Sequence, residues 1–133
     1  MRVVVDTNVW VSAFLTPHGT PSRLLREVER KRLTLVYDAA IAAEYQQVLS
    51  RSRFNIGPAS VEEFLARLRE DGQRIIPPLL PASDLPDPDD APFIATALAA
   101  ACPIVTGNLR HFPPECGVEV LTPAQCLAHL VTD

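Results

Sequence analysis

Three consecutive valines followed at once by an aspartate, Val3-Val4-Val5-Asp6, leave few folds open to this chain. The run is too short to span a membrane and strongly β-forming, so it reads as a strand buried on both faces, the hallmark of a parallel sheet. Asp6 then falls at the carboxyl end of that strand, where open α/β sheets place their ligand crevices. A carboxylate in such a place needs a cation, a hydrogen-bond network or a helix N-terminus beside it. Helix capping alone would account for a single aspartate there.

The remaining pattern alternates helix and strand. Helices are predicted over about 9–15, 21–31, 39–50, 61–71, 91–101 and 123–130, the last capped by Thr122. Strands are predicted at 33–36, 74–76, 104–106 and 118–121. Residues 77–90, rich in proline and aspartate, form a loop and not a linker between domains. Such alternation implies a three-layer α/β/α sandwich around a mainly parallel five-stranded sheet. One domain over residues 1–133 is expected, because 133 residues suffice for an unstapled core.

Charge is unevenly spread. The net charge is −4, yet residues 22–74 hold ten basic and eight acidic side chains, leaving two basic and eight acidic elsewhere. Eleven of the twelve basic residues are arginine, which pairs with phosphate in a bidentate way. Cys102, Cys116 and Cys126 are odd in number and lack a C-x-x-C spacing, so they read as reduced, partly buried thiols. With no signal peptide and no apolar stretch long enough to cross a bilayer, a cytoplasmic location without membrane association is expected.

Three carboxylates occupy positions suited to joint action: Asp6 at the first strand end, Glu44 bordering the buried face of the third helix, and Asp90 at the start of the alanine-rich helix. Individually, Glu44 reads equally as a solvated helix acid and Asp90 as a cap. Together they offer hard oxygen donors without a Cys–His cluster, a set that selects Mg²⁺ or Mn²⁺ over zinc. Ions held in this way serve phosphate-ester hydrolysis. No Gly-rich phosphate loop, nucleophile elbow or zinc motif competes. Arg51 and Arg53, just past the Glu44 helix, are candidate phosphate contacts.

The segments V-V-V-D-T-N-V-W (3–10), E-Y-Q-Q-V-L (44–49), D-A-P-F-I-A-T-A-L (90–98) and I-V-T-G-N-L-R-H-F (104–112), in that order, resemble the PIN-domain family. More narrowly, they resemble the toxin-like PIN proteins of prokaryotic type II toxin–antitoxin systems. The resemblance implies a five-stranded parallel sheet, metal-dependent cleavage of RNA, a homodimer and inhibition by a small antitoxin. By position it makes Asp6, Glu44 and Asp90 the catalytic metal ligands, with Thr7, Asn8, Ser12 and Thr106 as supporting hydrogen-bonding residues. It also marks a departure: the fourth acidic position of relatives is occupied here by Asn108 or His111. Asn keeps a carbonyl oxygen but loses a charge, and His favours Mn²⁺, so either makes a weaker further donor. Asp87 or Asp89 is a candidate substitute.

Two other readings stay open on the sequence. One is a catalytically weakened PIN scaffold that binds RNA or a protein partner, favoured by the missing fourth acid. The other is a haloacid-dehalogenase-like phosphatase, which also begins with a strand ending in Asp. That family needs a second aspartate where this chain has Asn8 and a later lysine, and the only lysine is Lys31.

Overall fold

In the computed structural model, which describes residues 1–78 and 88–132, the valine run forms the central strand β1 (Arg2–Val5). Val3, Val4 and Val5 are completely buried, each worth roughly 1.5–3 kcal/mol against exposure. The chain continues through α1 (Thr7–Leu15), α2 (Thr20–Glu29), β2 (Thr34–Tyr37), α3 (Ala39–Leu49) and α4 (Pro58–Asp71). It then passes through β3 (Gln73–Arg74), α5 (Ala91–Ala100), β4 (Ile104–Val105), β5 (Val120–Leu121) and α6 (Pro123–Thr132). All strand pairs are parallel, in the order β3-β2-β1-β4-β5. Helix α5 packs on β1 and β2, α4 on β2 and β3, and α6 on β5. The α/β architecture with a five-stranded parallel sheet is therefore the one expected.

Local chemistry explains where elements begin. Asp38 caps α3, accepting a 2.8 Å hydrogen bond from the Ile41 amide. Thr122 and Gln125 form a reciprocal capping box at α6, through bonds of 3.1 and 2.8 Å. Helix α4 begins at Pro58, three residues before the predicted start, because Gly57-Pro58 supplies the favoured proline at the first turn. Helix α1 begins at Thr7, two residues early.

The strands differ from expectation mostly in length. Strand β4 pairs through only Ile104↔Val120 and Val105↔Leu121, so β5 is held to two residues where 118–121 was expected. Strand β3 covers Gln73–Arg74 and not 74–76, its register fixed by Val36↔Gln73 and Tyr37↔Arg74. Asp84 and Asp87, within the predicted loop, lie outside the described residues. Among the described residues no helix is long and apolar enough to cross a membrane.

Gly72 joins α4 to β3 at a point of close approach. A Cβ there would meet the Leu68 carbonyl oxygen at 2.5 Å and that of Leu35 at 2.9 Å, both backbone atoms with little room to yield. Gly72→Ala should therefore cost about 1–3 kcal/mol. Denaturant titration should show a lower midpoint with unchanged slope; a midpoint equal to wild type would mean that the α4–β3 corner can open without penalty.

Candidate active site

Strand order reverses direction at β1. Successive strands β2 and β3 build outward on one side of it, whereas β4 and β5 build on the other. The carboxyl ends of β1 and β4 thus frame the switch point at which α/β sheets bind ligands. Asp6 leaves β1 there, its amide donating to the Val105 carbonyl at 2.8 Å. Thr106, fully buried just past β4, donates its hydroxyl to Asp6 Oδ2 at 2.8 Å and accepts from the Asn108 amide at 3.0 Å. Asp6 is the nearer acceptor for the hydroxyl proton, the Asn108 carbonyl lying at 3.5 Å.

Asp6 is only 6% exposed. Burial pushes its carboxyl above the ordinary range, opposed by the Thr106 hydroxyl, the charge of His111 and the amides of Thr7 and Asn8. Asp6 precedes α1 at the N-cap position, with the Thr7 and Asn8 amides near its carboxyl, but it makes no well-formed side-chain cap hydrogen bond, so capping alone does not account for it. The same is true of Asp90, which precedes α5 without capping it and is likewise 6% exposed. Its Oδ2 lies 3.4 Å from His111 Nδ1, an ion pair when the imidazole is protonated. His111 sits half-buried in a short 3₁₀ turn, Leu109–His111, in which the Asn108 side chain accepts from the Arg110 amide at 3.2 Å. It thus pairs with Asp90 and lies near enough to Asp6 for its charge to act there.

Glu44 reaches the site indirectly. It is half-buried on α3, and the Thr7 hydroxyl donates to its Oε2. The adjacent Tyr45 is buried and donates its hydroxyl to the Val5 carbonyl, one residue before Asp6. Burial, with the charges of Asp6 and Glu44, holds this phenol far above its ordinary titration range, so it remains a donor. Asn8 and Ser12 are exposed one turn apart on α1. Arg51 and Arg53 stand exposed beyond α3, Arg53 over the Phe54 ring at 4.9 Å. Asp89 is exposed, one residue before Asp90.

The structure thus gathers Asp6, Asp90, Thr106 and His111, and ties Glu44 to them through Thr7. Asp38 and Tyr45 are positioning residues that sequence reasoning passed over. A strand ending in Asp before an alanine-rich helix signals the first, and a tyrosine among inward apolar positions, needing a partner for its hydroxyl, signals the second.

Among the described residues no three His, Cys, Asp or Glu side chains already form a metal cage. The donor chemistry nevertheless fits a hard divalent ion. Mg²⁺ keeps several waters and takes one or two carboxylates plus substrate oxygens, and Asp6 and Asp90 are two buried carboxylates at the sheet's crevice.

A doubly wound parallel sheet with an acidic centre at its switch point defines the class, and comparison defines the family. A family model described as "PIN domain" matches residues 2–110, so the chain belongs to the PIN-domain family. Among solved structures it is similar to a chain of FitAB bound to the IR36 DNA fragment, at 18% identity and TM-score 0.61, covering 91% of this chain and 94% of that one. It is similar to a chain of VapBC2 from Rickettsia felis bound to a DNA fragment from its promoter, at 17% identity and TM-score 0.61, covering 92% and 98%. PAE2754 from Pyrobaculum aerophilum aligns at 12% identity and TM-score 0.62, covering 99% and 90%. No curated protein sequence matches significantly.

Proposed function

We propose that residues 1–133 act as one PIN nuclease domain that hydrolyses RNA phosphodiesters with Mg²⁺ or Mn²⁺. The observation that carries this reading is the pair of buried carboxylates, Asp6 and Asp90, drawn from distant parts of the chain to the neighbourhood of His111, which lies 3.4 Å from Asp90 and whose charge acts on Asp6. Burying a carboxylate is costly unless its charge is compensated, and a perturbed carboxyl such as that of Asp6 in a crevice marks a functional-site candidate. When bound, the ion would supply an activated water and neutralise charge developing on the phosphate.

The chain's own residues would do the positioning. Asp6, Asp90 and Glu44 are the catalytic ligands, with Asn108 or His111 as a further donor. Thr106 fixes Asp6, Thr7 fixes Glu44, and Asn8 and Ser12 line the exposed approach along α1. Arg51 and Arg53 would meet phosphates, joined by exposed Arg110 of the 3₁₀ turn. Cleavage of single-stranded RNA that requires Mg²⁺ or Mn²⁺ and stops with EDTA tests the reading; metal-independent cleavage would overturn it.

Asn108 and His111 also favour a weakened enzyme. Replacing exposed Asn108 by Asp should raise Mg²⁺ affinity about tenfold, measured by calorimetry. His111→Asp should do the same while lowering apo stability, because it sets a third carboxylate beside Asp90. Unchanged affinity in both variants would show that neither position borders the ion.

The wider proposal is the toxin component of a toxin–antitoxin pair, cytoplasmic and homodimeric. It rests on the likeness to toxin-like PIN proteins and to chains of the FitAB and VapBC2 assemblies. A small antitoxin could direct an Arg or Lys at the acidic centre and exclude the cation. Inhibition should then weaken as metal concentration rises. Sedimentation of the purified chain and copurification with the product of an adjacent small gene check the partners; a monomer with no copurifying protein would favour a stand-alone nuclease.

A further inference from the structure

A second charged feature lies away from the acidic centre. Arg23, Arg26 and Arg30 recur at i, i+3 and i+7, which places them along one face of α2 and its C-terminal end. With Arg32 they wall a groove of about 380 Å³ between α2 and α6. Among the described residues the groove's one carboxylate, Glu27, is mostly buried and already engaged, 3.2 Å from Arg30 and 3.3 Å from Arg32. Arg32 also donates to the Leu130 carbonyl at 3.3 Å. Two guanidinium groups are therefore held in place by Glu27, while exposed Arg26 reaches the Pro17 carbonyl at 3.4 Å and exposed Arg23 lines the groove beside it. In a chain of net charge −4, four arginines against one acid among the described lining residues form a local cationic field.

The opposite wall is apolar. It carries Leu127, Leu130 and the 82%-exposed Val131 of α6. A basic wall facing an apolar one matches single-stranded nucleic acid, which presents phosphates on one side and unpaired bases on the other. A duplex hides its bases and has no use for the second wall. A second copy of this chain is disfavoured, because a two-fold contact through this groove would set arginine against arginine.

We propose that the α2–α6 groove is a binding site for single-stranded RNA separate from the cleavage centre. Arg32 precedes β2 at the amino end of the sheet, whereas Asp6 stands at the carboxyl end of β1. The two are separated by at least the length of β1, about 13 Å. RNA held here is anchored remotely, so the groove governs how tightly long strands bind and not the chemistry at Asp6. Identifying the polyanion as RNA rests on the nuclease reading; the groove's affinity for phosphates does not.

The test compares wild type with Arg23→Gln/Arg26→Gln, two exposed positions outside the cleavage centre. Binding of a long oligouridylate, a short oligouridylate and duplex DNA is measured in EDTA over a salt series. Losing two phosphate contacts should weaken long-strand binding roughly tenfold and flatten the log–log salt slope by about 1.4. Cleavage of the short strand with Mg²⁺ or Mn²⁺ should stay at the wild-type rate. An unchanged slope and affinity would overturn the proposal, as would tighter binding to duplex DNA that the substitutions abolish, or a changed sedimentation coefficient showing a subunit contact. A wild type that binds RNA through these arginines yet never cleaves it would sink the nuclease reading and leave the groove standing. Normal cleavage with an unmoved salt slope would do the reverse.

Discussion

Asp6→Asn should abolish metal-dependent cleavage and, without divalent metal, raise the melting temperature at neutral pH. Burial lifts the folded-state pKa of Asp6 above its unfolded value. The folded protein therefore binds a proton there more readily than the unfolded chain does. Below the ordinary carboxylate range both states are protonated and the group is neutral in the balance. As pH rises through the interval up to the lifted value, the unfolded state ionises first and stability falls. Above the lifted value the full penalty of a buried charge applies. Asparagine keeps the shape and can accept from the Thr106 hydroxyl, but it carries no charge. The gain should grow as pH rises above the ordinary carboxylate range and fade as pH falls back into it, in thermal melts.

Adding Mg²⁺ reverses the order. Wild type should gain stability in proportion to ligand occupancy, whereas the variant should gain little. Cleavage should fall roughly a hundredfold or more, because several kcal/mol of charge stabilisation at the phosphate depend on the ligand. A variant less stable than wild type at neutral pH would show that Asp6 is a structural acid, satisfied by Thr106 alone. Retained cleavage would remove it from the reaction.

Much of this arrangement was legible in the residues themselves. A triple valine reads as a strand buried on both faces, as in a parallel sheet, and the carboxylate behind it marks the crevice. The helix–strand alternation then fixes the class of fold. Edge strands were harder to place, because their limits come from their neighbours: two-residue β4 permits only two residues of β5, whatever the β propensity of Val118. The site was half legible. Asp6 and Asp90 could be singled out by position, but a sequence cannot show that a 3₁₀ turn swings His111 to within 3.4 Å of Asp90. Likewise, the role of Thr7 in holding Glu44 depends on α1 and α3 lying side by side. The arginine stripe on α2 was visible as composition only; its apolar counterpart on α6 comes from distant sequence.

Phe64→Ala should have the largest effect on stability. Its ring centroid lies 5.3 Å from Trp10 and 5.9 Å from both Phe14 and Tyr45, so one α4 side chain joins α1 and α3. Phe64 is 5% exposed, and emptying that volume should cost about 3–5 kcal/mol. For a chain of this size the melting temperature should fall by roughly 10–20 °C. The consequence extends to chemistry, because Tyr45 leans on Phe64 and its hydroxyl holds the Val5 carbonyl next to Asp6. Mg²⁺ affinity should drop at temperatures where the variant is still folded. Tyr45→Phe separates the two effects: it keeps the ring, costs only about 1 kcal/mol in stability, and frees the strand end. Its metal affinity should fall further than its melting temperature implies. If Phe64→Ala melts like wild type, the aromatic cluster does not clamp these helices; if Tyr45→Phe binds metal like wild type, Asp6 is positioned by Thr106 without help from α3.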